Sequence, residues 1–277
     1  MKEPPTVLRD PAAPPAAAGH SADSLRRDGF ARYRAADLGL DPAAYAGELA
    51  EIDEVYARLP PDPYAPSTNR SRRYSHAVYL PWTRRLTFVP GAPDAAYGTV
   101  TEYWQDDHNP EYPHMRRRLP DIPAAQQGNP LLLHLIHTDL AQAMWHEELQ
   151  HAPLYVGVHM IKLAVHEPGE RAVSSPDCLH QDGASAATFT FAHLIGCTNI
   201  RGGDNVIAAP EGAGRQPADL PPDDLYARFA LTEPLDGYAV HDHRVSHYVA
   251  PVHLGDDPGP GERRILIIGL APYAPRL

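Results

Sequence analysis

Three histidines of this chain are followed two positions later by an acidic residue, a spacing that can bind a metal ion. The three pairs are His137 with Asp139, His146 with Glu148, and His180 with Asp182. The chain holds 16 His and 35 acidic residues among 277, so about two such pairs are expected by chance. Spacing alone therefore does not identify a metal site, and the geometry of each pair has to decide.

Residues two positions apart share a side only in extended chain, because on a helix they lie about 200° apart. Asn129 followed by Pro130 predicts the start of a helix that runs to about residue 149, which contains the first two pairs. We predict that those residues are solvated or hydrogen-bonded helix residues. The segment His180-Gln-Asp182-Gly183 instead precedes a strand-like run at 186–195. It is predicted to direct one imidazole and one carboxylate toward a single point.

His146 and His151 resemble half of a zinc-protease motif, but their spacing is wrong. That motif needs two histidines four positions apart on one helical face. These two are five positions apart, which separates them by about 140° around a helix. A zinc hydrolase built on them remains an alternative, which replacement of both histidines by Ala would test.

A third ligand is expected on a later strand. The later histidines that could supply it are His193, His241, His243, His247 and His253. We choose His247, which opens the β-rich segment 246–254, because a strand that far along the chain can return beside the first one. Two histidines and one carboxylate form the facial triad that is typical of non-heme iron(II) and that leaves coordination positions open.

Arg263 and Arg264 follow on a terminal apolar strand. An arginine there can pair bidentately with the far carboxylate of a dicarboxylate co-substrate. Which of the two would do so stays open, because successive strand residues point to opposite faces.

The elements that must position these residues are short strands preceded by helices. Helices are predicted over 21–36 and from Asp41 to Leu59, where Asp41 would cap the helix and Pro42 suits its first turn. Strand-like runs separated by Pro and Gly occupy 73–104, 154–165, 186–195, 205–209, 237–241, 246–254 and 263–271. This order predicts a mainly β fold with flanking helices.

Within that class we expect a double-stranded β-helix, that is, a jelly-roll or cupin-like core, with the N-terminal helices packed on one face. Residues 1–20 are rich in Pro and Ala and are predicted to be a flexible arm. Residues 21–277 would form a single domain, with a helical part at about 21–60 and a catalytic core at about 150–272.

The composition limits the partners of the chain. A net charge of −11 argues against a nucleic-acid surface or an anionic membrane. No stretch approaches the about 18 apolar residues of a membrane span. The two cysteines, Cys178 and Cys197, are expected to be reduced thiols, which together with the N-terminal composition predicts a cytoplasmic protein.

The motifs also resemble a known family. HQDG at 180–183, TFAHLIGCTNIRGGDNVI at 190–207, DHRVSHYVAPV at 242–252 and RRILIIGL at 263–270 resemble the 2-oxoglutarate/iron(II)-dependent oxygenases. Within that family they are most similar to the branch of isoleucine 4-hydroxylase and related free-amino-acid hydroxylases. The resemblance covers about residues 150–272.

The resemblance implies roles for individual residues. His180, Asp182 and His247 would bind iron(II), and Arg263, or alternatively Arg264, would bind the C5 carboxylate of 2-oxoglutarate. The turn Asn199–Gly203 would be structural. Iron(II), 2-oxoglutarate and O2 are the implied cofactor and co-substrates, and succinate and CO2 the implied products.

The implied reaction is oxidation of an unactivated C–H bond of a small free amino acid or derivative, most simply its hydroxylation, in secondary metabolism. Desaturation or ring closure on the same iron centre is the alternative, and a non-catalytic cupin-like metal-binding or ligand-binding protein is an alternative from another class. Asp182 argues against halogenation, since halogenases of this type replace the carboxylate.

The expected partner is an amino-acid-like small molecule, without nucleic acid or membrane. The oligomeric state stays open, with a homodimer as one option.

The substrate pocket is less readable from the sequence. His159 and Lys162, on the strand 154–165, are candidates for binding a substrate carboxylate. Tyr103, Trp104 and the segment 106–108 are candidates for a lid or an amine-binding edge.

Overall fold

The structure is a computed structural model that describes residues 20–105, 111–112, 114–183 and 185–274. The flexible arm predicted at 1–20 lies outside these residues except for residue 20. The segment 106–108, predicted to belong to a lid or an amine-binding edge, also lies outside them. Within the described residues no helix is long and apolar enough to cross a membrane.

Five α-helices and several single 3-10 turns lie in the described residues. The helices are α1 (His20–Asp28), α2 (Ala46–Ala57), α3 (Ala124–Gln127), α4 (Pro130–Ala143) and α5 (Glu147–His151). The 3-10 turns are Ala35–Leu38, Pro210–Gly212, Pro217–Asp219 and Pro222–Asp224.

Sixteen strands make up the rest of the regular structure in the described residues. In the N-terminal half they are β1 (Phe30–Tyr33), β2 (Arg70–Leu80), β3 (Arg85–Phe88), β4 (Ala92–Asp94), β5 (Gly98–Tyr103), β6 (Arg117–Pro120), β7 (Leu154–Val165) and β8 (Arg171–Ala172). In the C-terminal half they are β9 (Phe189–Thr198), β10 (Ile200–Gly202), β11 (Asn205–Ala208), β12 (Leu225–Phe229), β13 (Gly237–His241), β14 (Ser246–Val249), β15 (Val252–Leu254) and β16 (Gly261–Pro272).

The strands form one large antiparallel sheet and three small ones. The large sheet has seven strands in the order β1-β13-β9-β16-β7-β2-β3. The small sheets are β10-β15-β8, β12-β11-β14 and β4-β5-β6. The predicted mainly β fold is confirmed, and so are the strands predicted at 154–165 and 237–241 with their bounds.

One predicted strand and three predicted helical boundaries need correction. The run 246–254 is split into β14 and β15 on either side of 250–251, where Pro251 has no N–H to pair. The helix predicted over 21–36 ends at Asp28, because Gly29 takes a left-handed conformation (φ +83°) and the chain continues as β1. The second helix begins at Ala46, and not at Asp41, because Asp41 forms a turn whose side chain accepts a hydrogen bond from Ala43 N (3.0 Å).

The long helix predicted to reach about residue 149 is also broken. Asn129 caps α4 as predicted, with its side-chain oxygen accepting from Leu131 N and Leu132 N. The helix ends at Ala143, and His146 is extended (φ −78°, ψ 123°) before α5 begins. His137 and Asp139 therefore lie on one helix as predicted, whereas His146 lies outside any helix.

The large sheet has two different faces because strand side chains alternate. On its outer face, Leu266 and Ile268 of β16 and Val158 of β7 pack with Ile52 and Leu135 from the helices. The predicted packing of the N-terminal helices on one face of the sheet is thus confirmed.

The inner face of the large sheet is turned toward the small sheet β12-β11-β14. There Ile265 of β16, Ile161 of β7 and Tyr238 of β13 pack with Ile207 of β11. The polar residues that could do chemistry lie in this interior.

Candidate metal centre

The structure brings His180, Asp182 and His247 together. One ligand atom of each lies within 4.8 Å of the others, and no other group of three or more His, Cys, Asp or Glu in the described residues is so arranged. Nε2 of His247 is 3.4 Å from Oδ2 of Asp182, and Nε2 of His180 is 4.0 Å from Oδ1. Ligands at right angles around an ion at about 2.1 Å are about 3 Å apart, so these atoms need to move little to hold one.

Backbone pairing fixes the two histidines against each other. His180 and His247 form an isolated antiparallel bridge in which each N–H donates to the other's carbonyl at 2.9 Å. His247 is the second residue of β14, which pairs with β11 through His247 and Ile207. Pairing between distant segments therefore places His247 opposite the segment that carries His180 and Asp182.

A second carboxylate, that of Asp242, holds the segment that carries Asp182. Its Oδ1 accepts from the N–H of Asp182 (2.8 Å). The Thr190 hydroxyl lies 3.1 Å from Oδ2 of Asp182 and 2.9 Å from Oδ2 of Asp242. The side-chain amide of Gln181 donates to the Asp242 and Val245 carbonyls. Asp182 is thus oriented by Asp242 and Thr190, which is the way a ligating carboxylate is usually held.

The protonation states favour a divalent metal ion. Nδ1 of His180 lies 2.9 Å from the Cys178 carbonyl and donates to it, so that its Nε2 lone pair faces Asp182. Burial, with the neighbouring charge of His247, lowers the pKa of His180 to about 4. A neutral imidazole is the form that binds metals.

The carboxylates of the centre are shifted in opposite directions. Burial raises the pKa of Asp182, but the hydrogen bond and charges of His247 and His180 outweigh it and hold that pKa well below its usual range. Burial lowers the pKa of His247, whereas Asp182 and Asp242 raise it overall. Burial and repulsion from Asp182 raise the pKa of Asp242 to about 7. A set of two imidazoles and one anionic carboxylate fits iron(II), whose charge would take the place of the proton that the carboxylates favour on His247.

Arg263 lies in the interior without an acidic partner. It is 3% exposed, and none of the described acidic residues lies within ion-pair distance of it. Its Nη2 is 3.4 Å from Asn205 Oδ1, a long contact. Burial lowers the pKa of the guanidinium. A Cβ at Gly203 (φ +74°) would lie 3.2 Å from Cδ of Arg263, so the glycine leaves room for this side chain.

Arg264, the alternative to Arg263, points to the outer face. Its Nη1 lies 2.9 Å from Oδ1 of Asp53 on α2. Since strand neighbours alternate, the two arginines cannot both face the interior. The structure therefore separates an interior arginine from one that joins the sheet to a helix.

Lys162 needs correction as a candidate for substrate binding. Its Nζ lies 3.5 Å from Oε1 of Glu262. It directly follows Ile161, whose side chain packs in the interior, so Lys162 lies on the opposite face of β7. The structure does not bring it to the metal centre.

His159, the other candidate, does lie in the interior. It is 7% exposed, and its Nδ1 is 2.6 Å from Nη2 of Arg72. Its ring packs on Tyr74 (4.4 Å between centroids) and Tyr103 (4.7 Å). Burial, reinforced by the charge of Arg72, lowers the pKa of His159 well below its usual value, so Nδ1 accepts from the guanidinium.

Two other histidines that were candidates for the third ligand have hydrogen-bond partners of their own. His193 on β9 is fully buried, and its Nε2 lies 2.9 Å from Oδ2 of Asp139 on α4. Nε2 of His241 lies 2.6 Å from the Ala186 carbonyl and donates to it. The prediction that Asp139 is a hydrogen-bonded helix residue is confirmed.

Sequence reasoning missed several polar residues around the centre. These are Thr190, Asp242, Gln105, Arg72 and Arg117. A signal was present for one of them: Arg70, Arg72 and Tyr74 share one face of β2, and two charged residues on one face of a strand are unusual when that face is buried. Nothing in the sequence indicated where Gln105 or Arg117 would point.

Comparison with known proteins agrees with this geometry. The model of a family described as 2OG-Fe dioxygenase matches residues 53–269. The 3(1)-hydroxy-L-isoleucine 4-dioxygenase of Pantoea ananatis (strain AJ13355) is 30% identical over 227 residues, which is 81% of each chain.

Solved structures show the same fold. IDO from Bacillus thuringiensis superimposes with a TM-score of 0.68 at 19% identity, covering 92% of this chain and 94% of that one. A bsmA homologue from Methylobium petroleophilum PM1 gives 0.71 at 20% identity, with the same two coverages. The predicted jelly-roll core is thus confirmed.

The family match extends over most of the chain, well beyond the region of about 150–272 in which the motifs were recognised. The family uses iron(II), 2-oxoglutarate and O2, and the described residues hold two buried histidines and a partly buried aspartate suited to that iron. The chain belongs to the 2OG-Fe dioxygenase family and is a 2-oxoglutarate- and iron(II)-dependent dioxygenase.

Proposed function

We propose that this enzyme hydroxylates an unactivated C–H bond of a small free amino acid or a close derivative, with release of succinate and CO2. The observation that carries the proposal is the set His180, Asp182 and His247, in which both histidines are buried, together with the buried Arg263, which has no ion pair among the described residues. The name of the 30% identical relative, an isoleucine-derivative 4-dioxygenase, supports the substrate class.

In this proposal His180, Asp182 and His247 hold iron(II). The bound iron supplies the oxygen activation that couples decarboxylation of 2-oxoglutarate to oxidation of a C–H bond. Arg263 binds the far carboxylate of 2-oxoglutarate with its planar fork of donors. Tyr238 is within range of the charges of both Arg263 and Asp182.

The protein's own contribution is positioning and exclusion of water. His180 is 8% exposed and His247 is 4% exposed, so bulk water has little access to the two imidazoles, whereas the side chain of Asp182 is 24% exposed. His159 is neutral and faces the interior from β7, where it lines the substrate side of the centre. No side chain is required as a general acid or base, because the oxidising chemistry belongs to the cofactor.

Family membership sets aside the non-catalytic metal-binding barrel. Nor do the described residues support a zinc site on His146 and His151, which belong to no metal-binding group there. A place in secondary metabolism and a cytoplasmic location complete the proposal. Cys178 and Cys197 are unpaired thiols, as predicted, which suits a reducing compartment.

The deciding experiment is a screen. Anaerobic protein with iron(II) is first titrated with 2-oxoglutarate, and the expected weak visible charge-transfer band reports binding at the metal. The twenty amino acids are then tested in air for stimulated succinate release and for a product with one added oxygen atom. If the band appears but no amino acid stimulates succinate, the substrate class is wrong. A product with two hydrogens fewer, and no added oxygen, would replace hydroxylation by desaturation or ring closure.

A further inference from the structure

A group of buried arginines lies beside the metal centre, on strands that the family resemblance did not reach. Arg70 and Arg72 come from β2 and Arg117 comes from β6. They are 3%, 3% and 1% exposed. Three guanidinium groups withdrawn from water at one place carry a large desolvation cost unless anions compensate them.

The described acidic residues compensate only part of this charge. Asp62 accepts two hydrogen bonds from Arg70 (2.6 and 3.0 Å) and lies 3.6 Å from Nη1 of Arg72. Arg117 is held between the rings of Tyr103 (4.7 Å) and Tyr112 (4.9 Å) and has no ion pair within the described part of the chain. Among the described residues, one carboxylate therefore serves three cations.

The guanidinium groups also keep unused donors. Nε of Arg72 and Nε of Arg117 are buried and have no hydrogen-bond partner among the described residues. Arg117 directs Nη2 to Oε1 of Gln105 (2.5 Å), and Arg72 directs Nη2 to His159. Nε of Arg72 and Nε of Arg117 can each still donate to one more acceptor. Buried polar groups usually have a hydrogen-bond partner.

These donors lie next to the candidate iron ligand. Gln105 donates from Nε2 to Oδ1 of Asp182 (2.8 Å) and accepts from Arg117, so one amide group connects the two. Arg72 lies 5.4 Å from the ring centroid of Tyr103, and Tyr103 and Arg117 are direct partners in the β5–β6 pair. The two arginines thus share the ring of Tyr103, within range of the charge of Asp182.

This cationic site is distinct from Arg263. Arg263 lies on β16 beside Asn205 and Tyr238, whereas Arg72 and Arg117 lie around Tyr103 and His159. In the large sheet β7 separates β16 from β2. A dicarboxylate co-substrate held by Arg263 leaves Arg117 without an anion among the described residues, and leaves Arg72 with only Asp62, which it shares with Arg70.

We propose that Arg72 and Arg117 form the binding site for the carboxylate of the organic substrate, with Gln105 and His159 setting its distance from the metal centre. The inference rests on the proposed function, which it deepens by naming the group that the enzyme recognises. The excess of buried positive charge selects a substrate with a free carboxylate and rejects an ester or amide of the same skeleton.

The test compares binding of paired probes by calorimetry under anaerobic conditions, to protein loaded with iron(II) and 2-oxoglutarate. The probes are the twenty L-amino acids, followed by the carboxamide of each one that binds. The variants are Arg117→Met and Arg117→Lys, with Arg228→Met as the matched control, because Arg228 is 67% exposed on β12. Melting temperatures show whether each variant is folded.

We expect Arg117→Met to weaken binding of the carboxylate probe about 30-fold or more, because a buried charge pair loses one partner. The carboxamide should bind wild type weakly, and the substitution should leave its affinity unchanged. Arg117→Lys keeps the positive charge but not the planar set of guanidinium donors, so we expect an intermediate loss of affinity for the carboxylate probe. The 2-oxoglutarate affinity, read from the charge-transfer band, should be the same in all four proteins.

Two results would overturn the proposal. One is unchanged affinity of Arg117→Met for an amino acid that wild type binds. The other is a loss of 2-oxoglutarate affinity instead, which would make this site a co-substrate site. If Arg117→Met does not fold, the test uses Arg117→Lys alone. That variant must then bind the amino acid more weakly and keep its affinity for 2-oxoglutarate. Failure of the proposed function looks different: wild type then shows no band with 2-oxoglutarate or no stimulated succinate, whatever the arginine variants do.

Discussion

His180 and His247 each donate a backbone N–H to the other's carbonyl at 2.9 Å, although long stretches of chain separate them. This pair of hydrogen bonds sets the distance between the two imidazoles, which stand 4.3 Å apart between ring centroids. The metal centre is thereby defined by backbone pairing as well as by side chains. Substitution of one ligand side chain should consequently leave the fold of the centre intact.

Asp182→Ala is expected to abolish iron-dependent turnover while the protein stays folded. Even residues that only support metal ligands contribute about 10–100-fold to affinity or activity, so loss of a ligand should cost at least about 100-fold. Succinate release with iron(II) measures the effect, and Asp223→Ala, at an exposed acidic residue of a 3-10 turn, is the control. Retained turnover in Asp182→Ala would show that the ligand set is wrong.

The two adjacent arginines should behave differently. Arg263→Met removes a buried cation from the interior of the fold, and we expect the KM for 2-oxoglutarate to rise about 30-fold or more. Arg264→Met removes a partly exposed pair with Asp53, whose contribution to stability is at most about 1 kcal/mol, and should leave that KM unchanged. Steady-state kinetics with varied 2-oxoglutarate separates the two. Equal effects would contradict the assignment of Arg263.

Thr190 should affect iron affinity through Asp182. Thr190→Val removes the hydroxyl that lies 3.1 Å from Asp182 and 2.9 Å from Asp242. We expect iron(II) to bind about 10-fold more weakly, because the hydroxyl no longer orients the carboxylates. Anaerobic metal titration measures this, and Thr190→Ser, which keeps the hydroxyl, should restore the affinity. A Ser variant as weak as the Val variant would point to packing instead.

The buried pair of Asp139 and His193 is expected to stabilise the fold without affecting iron. Asp139→Ala leaves the fully buried His193 without its partner at 2.9 Å. We expect the free energy of unfolding to fall by about 3–5 kcal/mol, measured by urea denaturation of the metal-free protein. Iron(II) affinity should be unchanged, so a parallel loss of affinity would contradict a purely structural role.

The pKa of His159 predicts how stability depends on pH. Its folded pKa lies well below the ordinary value of about 6.5, so below that pH the unfolded state binds more protons than the native state. The free energy of unfolding of the metal-free protein should therefore fall as pH drops below about 6.5. It should fall less steeply in His159→Asn, and identical slopes would show that His159 does not contribute.

The sequence alone determined features whose causes are local. Strands at 154–165 and 237–241 were readable because β-branched and apolar residues alternate between clear turn residues. The choice of His180 and Asp182 depended on a local distinction between helix and extended chain, and the choice of His247 on the order of strands. Gly29, which ends the first helix, acts through a conformation that the sequence pattern did not reveal.

Only the tertiary structure decided which face each side chain takes and which distant groups meet. Arg263 and Arg264 are neighbours of identical chemistry, and the sheet turns one inward and the other toward Asp53 on α2. Arg72 and Arg117 come together because β2 and β6 approach through Tyr103, a contact between segments far apart in the chain. Such contacts depend on strand register and on the packing of whole sheets, and no single segment encodes these. They place the second cationic site, Arg72 and Arg117, beside the His-Asp-His centre.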